Sequence, residues 1–79
     1  MSDVLAVEAD RKITAPDAAQ YRTDPAYAAE VVRSTGLSQR ECAARVGVSH
    51  TTLKDWISGR YQWPYTAQYT LECLAALAR

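Results

Sequence analysis

Apolar positions in this chain recur at three- and four-residue spacings, the pattern of helices that bury one face. The first such stretch opens on Asp24-Pro25, a side-chain cap followed by a proline at the first helical position. It continues through Tyr27, Ala28, Val31 and Val32. The second opens on Ser38-Gln39-Arg40-Glu41, a capping box in which Ser38 and Glu41 are expected to satisfy each other's orphan amides, and runs to Val46. Gly47-Val48-Ser49 reads as a three-residue turn, with Ser49 capping a third helix from His50 to Ser58. A loop from Arg60 to Trp63 leads to Pro64 and a last helix ending near Ala78. Gly36, Gly47 and Gly59 each follow one of these stretches, where a left-handed residue closes a helix. No alternating segment is long enough for a strand, so the pattern predicts an all-α fold, a compact bundle of four to five helices.

Residues 1–20 are less regular. Val4, Leu5, Val7 and Ile13 suit an extra helix or a docked arm, whereas mixed charge and Pro16 suit a mobile tail, and the sequence leaves both open. Residues 21–79 are expected to form the domain itself. At 79 residues the chain has room for one small domain, which buries only about 60% of its unfolded surface. A core this thin gains if a partner shares it.

Charge changes the picture more than composition does. The total is zero, yet Arg33 to Arg60 holds Arg33, Arg40, Arg45, Lys54 and Arg60 against Glu41 and Asp55, five minus two or +3. Residues 1–32 hold three basic residues against six acidic ones, or −3. A local field of this kind attracts phosphate even when the sum vanishes. Cys42 and Cys73 stand far apart with no paired spacing, and there is a single histidine. That argues against a zinc site and a disulfide scaffold, and the two are expected to be reduced, buried thiols. No metal, cofactor or small-molecule ligand is expected. Paired carboxylates at catalytic spacing and a phosphate-binding glycine loop are missing, which argues against an enzyme. The first ten residues lack a basic signal-peptide start and no run reaches transmembrane length, so the expected location is the cytoplasm, with no membrane partner.

Ser38 to Gly59 carries the most specific signal. Two short helices joined by a tight turn pack steeply across one another only if certain positions are small or apolar. Ala43 is small midway along the first helix, Gly47 supplies a positive φ at the turn, and Val46 and Val48 flank it. Leu53 and Trp56 turn one face of the second helix toward the first. This helix-turn-helix pattern resembles the phage-repressor and Cro type of regulator over residues 24–78. A narrower likeness is to the small phage-encoded anti-CRISPR-associated regulators. It is carried by Pro16-Asp17, Asp24-Pro25, Gly36-Leu37-Ser38-Gln39-Arg40, Ala43-Ala44, Gly47-Val48-Ser49, Pro64-Tyr65-Thr66, Gln68 and Leu71-Glu72-Cys73-Leu74.

The resemblance implies a lambda repressor-like fold whose second motif helix enters the major groove of DNA. On its outward side stand His50, Thr51, Lys54 and Asp55, because Leu53, Trp56 and Ile57 turn inward. Lys54 suits guanine O6 and N7, Thr51 a hydrogen bond or a thymine methyl, and His50 either donation or acceptance. Asp55 either accepts from cytosine N4, orients Lys54 or repels phosphate. Gln39 and Arg40 begin the first motif helix, where free amides, a positive dipole end and a guanidinium converge on one phosphate. Ser49, Thr52, Arg60 and Tyr61 are further phosphate candidates, Arg45 is expected to be solvated, and Trp56 to be core. Trp63 could touch sugar or phosphate, but packing is the expectation.

The last helix is apolar nearly all round, with only Thr66, Gln68, Thr70 and Glu72 polar between Thr66 and Ala78. A surface helix keeps one polar face. A two-fold homodimer resolves the conflict, with Tyr65, Tyr69, Leu71, Cys73, Leu74 and Leu77 as its expected interface. A dimer reads two half-sites about one DNA turn apart, an inverted repeat in double-stranded DNA. The expected function is therefore a homodimeric transcriptional repressor that occludes a promoter operator and controls its own operon, one encoding an anti-CRISPR protein. An antitoxin-like protein-interaction module using the same fold is the alternative.

Overall fold

The computed structural model describes residues 15–78, and all regular structure among them is helical. A three-residue 3-10 turn, Ala18–Gln20, precedes four helices: α1 (Pro25–Ser34), α2 (Gln39–Val46), α3 (His50–Ser58) and α4 (Tyr65–Leu77). No strand occurs among the described residues. The expected extra helix or tail before residue 15 lies outside them.

Local chemistry sets the helix ends. The Asp24 carboxylate accepts from Ala26 N at 2.9 Å, and Pro25 starts α1 without losing a bond, as its sequence predicts. Ser38 and Ser49 cap α2 and α3 by accepting from Glu41 N at 3.0 Å and Thr52 N at 3.1 Å. The expected reciprocal box at Ser38 is only half built. The Glu41 carboxylate turns along the helix to accept from Arg45 Nε at 2.9 Å, so Arg45 is exposed but paired rather than merely solvated. Gly47 closes α2 at φ 91°, with its own N–H and that of Val48 both donating to Ala43 O. Gly59 closes α3 at φ 86° and also lies against α1, where a Cβ would stand 3.1 Å from Pro25 Cγ. A side chain there would strain the backbone and push the two helices apart.

Helix α3 packs on α1 and α2, and α4 packs on the same two helices. Ala28, Val31 and Val32 of α1 meet Cys42 and Ala43 of α2, Leu53 and Trp56 of α3, and Ala67 and Leu71 of α4. Fully burying a leucine such as Leu53 or Leu71 is worth about 1.5–3 kcal/mol, so a few such residues carry much of a domain this small. Trp63 belongs to the same core, as expected, and its indole N–H donates to Arg22 O at 2.7 Å. Buried Thr35 closes the α1–α2 corner. Its hydroxyl donates to Val32 O at 2.6 Å, accepts from Leu37 N at 3.1 Å, and stands 3.3 Å from Cys42 Sγ.

The described part of the segment before α1 is docked on the domain, one of the readings left open for residues 1–20. Asp17 N donates to the Tyr65 hydroxyl at 2.7 Å, and the Tyr21 hydroxyl donates to Trp63 O. Gln68, fully buried, accepts from Arg22 N at 2.8 Å and donates to Gln20 O at 2.9 Å. Asp17 and Gln20 are thereby tied to α4.

Two further expectations change. Leu71 is 0% exposed, so it packs α4 onto the domain and has no surface to offer a second copy. Cys42 is buried, but Cys73 is only half-buried, and both are free thiols. The reason is the same for both residues: α4 buries Ala67, Gln68, Leu71, Ala75 and Ala76, on two adjacent rows that take in Leu71 and leave Cys73 outside. Composition alone makes the helix look apolar all round, whereas packing divides it into a side set on the domain and a side turned from it.

Candidate nucleic-acid interface

The α2–turn–α3 segment brings the first turns of two helices together. Gln39 is the first residue of α2 and His50 the first of α3. Their side chains meet, with His50 Nε2 3.2 Å from Gln39 Oε1. The imidazole is held below its ordinary pKa by desolvation first, then by the cations of Arg40 and Lys54. Arg40 is the second residue of α2, next to Gln39, and Lys54 stands one turn beyond His50 on α3. Among the described residues neither Arg40 nor Lys54 has a salt bridge, since Glu41 is engaged by Arg45 and Glu30 by Arg33. Two positive charges are thus left unneutralised beside the Gln39–His50 pair.

Ser49 and Thr52 complete this end of the surface. The Ser49 hydroxyl donates to Thr52 Oγ1 at 3.0 Å while accepting from the Thr52 amide, so both hydroxyls are tied to the cap. Thr51 and Lys54 are exposed, while His50, Thr52 and Asp55 are partly covered. Leu53 and Trp56 are buried on the opposite side of α3, and Ile57 packs against the core. The division of α3 into an inward and an outward side thus follows the 3.6-residue period. Ser58 falls on that outward side, seven residues after Thr51, and is exposed. The same period could have singled it out.

Arg60 and Tyr61 stand apart from this cluster. They follow the C-terminus of α3, about 13 Å along the helix from its start at 1.5 Å per residue. Their backbone N–H groups donate to Asp55 O at 2.9 and 3.3 Å, which fixes the turn that carries them. The Arg60 guanidinium lies 5.6 Å from the Tyr61 ring centroid, and Tyr61 is 59% exposed. The structure therefore presents two separate groups of the predicted side chains, one at each end of α3. Gln39, Arg40, Ser49, His50, Thr52 and Lys54 form the first, and Arg60 and Tyr61 the second.

The expected partner surface lies elsewhere, on α4. Tyr65, Tyr69, Cys73 and Leu77 recur every four residues on the side away from the core, the first three half-buried and Leu77 55% exposed. Tyr65 also packs edge-on against Tyr21 and stands 6.1 Å from the Tyr69 ring. Leu74 is partly buried against the core.

Sequence reasoning had no signal for the polar cluster behind α4. The Tyr27 hydroxyl donates to Glu72 Oε2, which also accepts from Gln68 Nε2 at 3.1 Å. Burial, followed by the hydrogen bond and charge of Glu72, pushes the Tyr27 phenol up to about 12, against a smaller opposing effect of Arg22. The Arg22 guanidinium sits 3.9 Å over the Tyr27 ring. Among the described residues, no group of three or more His, Cys, Asp or Glu could hold a metal ion. Nor is any helix there long and apolar enough to cross a membrane. No protein-family model, curated protein or solved structure matches the chain.

Proposed function

We propose that this chain is a sequence-specific regulator of transcription that binds double-stranded DNA as a homodimer, with the lambda repressor-like form of helix-turn-helix. The observation that carries the reading is the Gln39–His50 contact with Arg40 and Lys54 unpaired beside it. A phosphate at the start of α2 would meet first-turn N–H groups that no helix carbonyl can reach, together with the Arg40 cation. With α2 so anchored, α3 lies along the major groove, offering His50, Thr51, Lys54 and Asp55 to base edges. Arg60 and Tyr61 would grip the backbone at the far end of the same helix.

The side of α4 turned from the core supports the dimer, with Cys73 and Leu77 at its centre beside Tyr69, Tyr65 and Leu74 at its margins, and Leu71 withdrawn into the core. Two copies would read an inverted repeat, and the second contact would raise affinity because it is intramolecular. Bound at a promoter, the dimer would repress by covering it. The sequence likeness extends the proposal to an operon of a phage or mobile element, including one that encodes an anti-CRISPR protein.

Selection of bound duplexes from random DNA, followed by titration, tests the reading. A palindromic consensus is expected, with affinity falling steeply as salt rises because bound phosphates release counterions. Lys54→Ala and Arg40→Ala should each weaken binding about tenfold or more. Unchanged affinity in both variants would overturn the assigned surface. A flat salt response with a co-purifying protein would favour an antitoxin-like module instead.

A further inference from the structure

We propose that the homodimer interface runs on from α4 to the turn ahead of α1, seating Ala18 and Ala19 of each copy against the Leu77 end of the other copy's α4. The proposal rests on the dimer reading above and names the part of that surface lying outside α4. It starts from an imbalance in the turn. Ala18–Gln20 contributes no buried residue to the domain. Yet distant partners hold it firmly. Asp17 N donates to the Tyr65 hydroxyl at 2.7 Å, Gln20 O accepts from Gln68 Nε2 at 2.9 Å, and Arg22 N donates to Gln68 Oε1 at 2.8 Å. Just beyond, the Tyr21 hydroxyl donates to Trp63 O. With Tyr65 and Trp63 as anchors on either side, the turn stays seated even where Gln68 is replaced. The core gains little apolar burial from fixing these residues, whereas a surface fixed in advance loses less freedom when it binds.

What the turn presents is apolar. Residues 15–20 are all exposed, and Asp17 is the single charge among them. Its carboxylate accepts from Ala19 N at 3.0 Å and so caps the turn. Tyr65 joins this surface to α4: its ring packs edge-on against Tyr21 at 6.2 Å and stands 6.1 Å from the Tyr69 ring. Area then calls for the extension. One side of a 13-residue helix, much of it half-buried, offers on the order of 400 Å², about half of the roughly 800 Å² per partner that a stable interface needs. The turn is the apolar surface that continues it.

A second copy fits this composite surface because of where the turn lies. Two-fold pairing with α4 antiparallel, the arrangement that helix dipoles favour, sets the Tyr65 end of one copy beside the Leu77 end of the other. The turn at Tyr65 thereby meets Leu77, which is 55% exposed within its own domain.

Four substitutions at exposed positions separate the outcomes. Ala18→Glu and Ala19→Glu put a carboxylate on the turn, Leu77→Glu puts one on α4, and Ala26→Glu puts one on α1 as a control. Each full-length variant, checked for an unchanged urea midpoint, is taken through sedimentation over a range of concentrations. The turn variants and Leu77→Glu should each weaken the dimer about tenfold or more, because symmetry buries the unpaired charge twice. Ala26→Glu should leave it as it was. In a dimer mixed from labelled and unlabelled wild-type copies, isotope-filtered spectra should place Ala18 or Ala19 methyl protons near Leu77 methyls of the other copy. A dimer that Leu77→Glu dissociates and both turn variants leave intact overturns the extension while the α4 dimer stands, and so does a lack of those cross-copy contacts. A chain that is monomeric at every concentration would sink both readings.

Discussion

The two ends of this domain are held together by different means. At the α2–α3 end most side-chain ties are local: Ser38 to Glu41 and Ser49 to Thr52 are three residues apart, and Glu41 to Arg45 four. The widest, Gln39 to His50, spans eleven. At the other end the ties join residues 41 to 48 positions apart, linking the segment before α1 and the α1 helix to Trp63 and α4. The first end exposes cations and amides. The second buries a glutamine, a tryptophan and most of a tyrosine–glutamate pair. An end built from local caps can leave its outward side chains to contact a ligand, because few of them are needed to hold the fold. An end built from distant pairs uses its polar groups for cohesion.

That contrast can be broken most severely at Gln68. Replacing it with Ala strips partners from Arg22 N–H and Gln20 C=O and leaves a gap beside Leu71, costing about 2–3 kcal/mol in urea denaturation. Amide exchange at Arg22 should accelerate, while the variant, still folded at low temperature, should keep the DNA affinity proposed above. A loss below about half a kcal/mol would show that the long-range end is not where cohesion resides. The matching change at the local end is Ser49→Ala. Losing that cap should cost about 1 kcal/mol, and the proposed DNA affinity should fall with it because the start of α3 frays. Stability lost with no change in affinity would separate the cap from the reading surface.

The smallest effect sharpens the comparison through pH. Tyr27 holds its proton to about 12, whereas the unfolded chain releases it near 10.0. Between those values the unfolded state binds fewer protons than the folded one, so stability falls as pH rises. The advantage of the wild type over Tyr27→Phe should be fully present below pH 10 and shrink toward pH 12. Parallel alkaline curves for the two proteins would mean that the Tyr27–Glu72 bond contributes nothing that titrates.

Legibility follows the same division. Caps, turns and the inward side of α3 depend on residues within one or two helical turns, and those rules can be applied along the chain. The half-built box at Ser38 shows their edge, since two local partners competed for Glu41 and the ion pair with Arg45 prevailed. Leu71 shows a deeper limit. Its place on α4 is periodic, but which stripe of a mostly apolar helix faces inward depends on α1 and α2, which lie far away in sequence.

By itself, the sequence determined an all-helical chain of four to five helices, the capping residues of the first three, the left-handed turns after α2 and α3, and the side chains on the outward face of α3. These follow from short-range sterics and hydrogen bonding. Only the tertiary structure decided that Gln39 meets His50, that Gln68 clamps the segment ahead of α1, and that α4 spends Leu71 on the core while keeping Tyr69, Cys73 and Leu77 outside it. Each of those contacts joins residues from different elements, and no local preference encodes their distance.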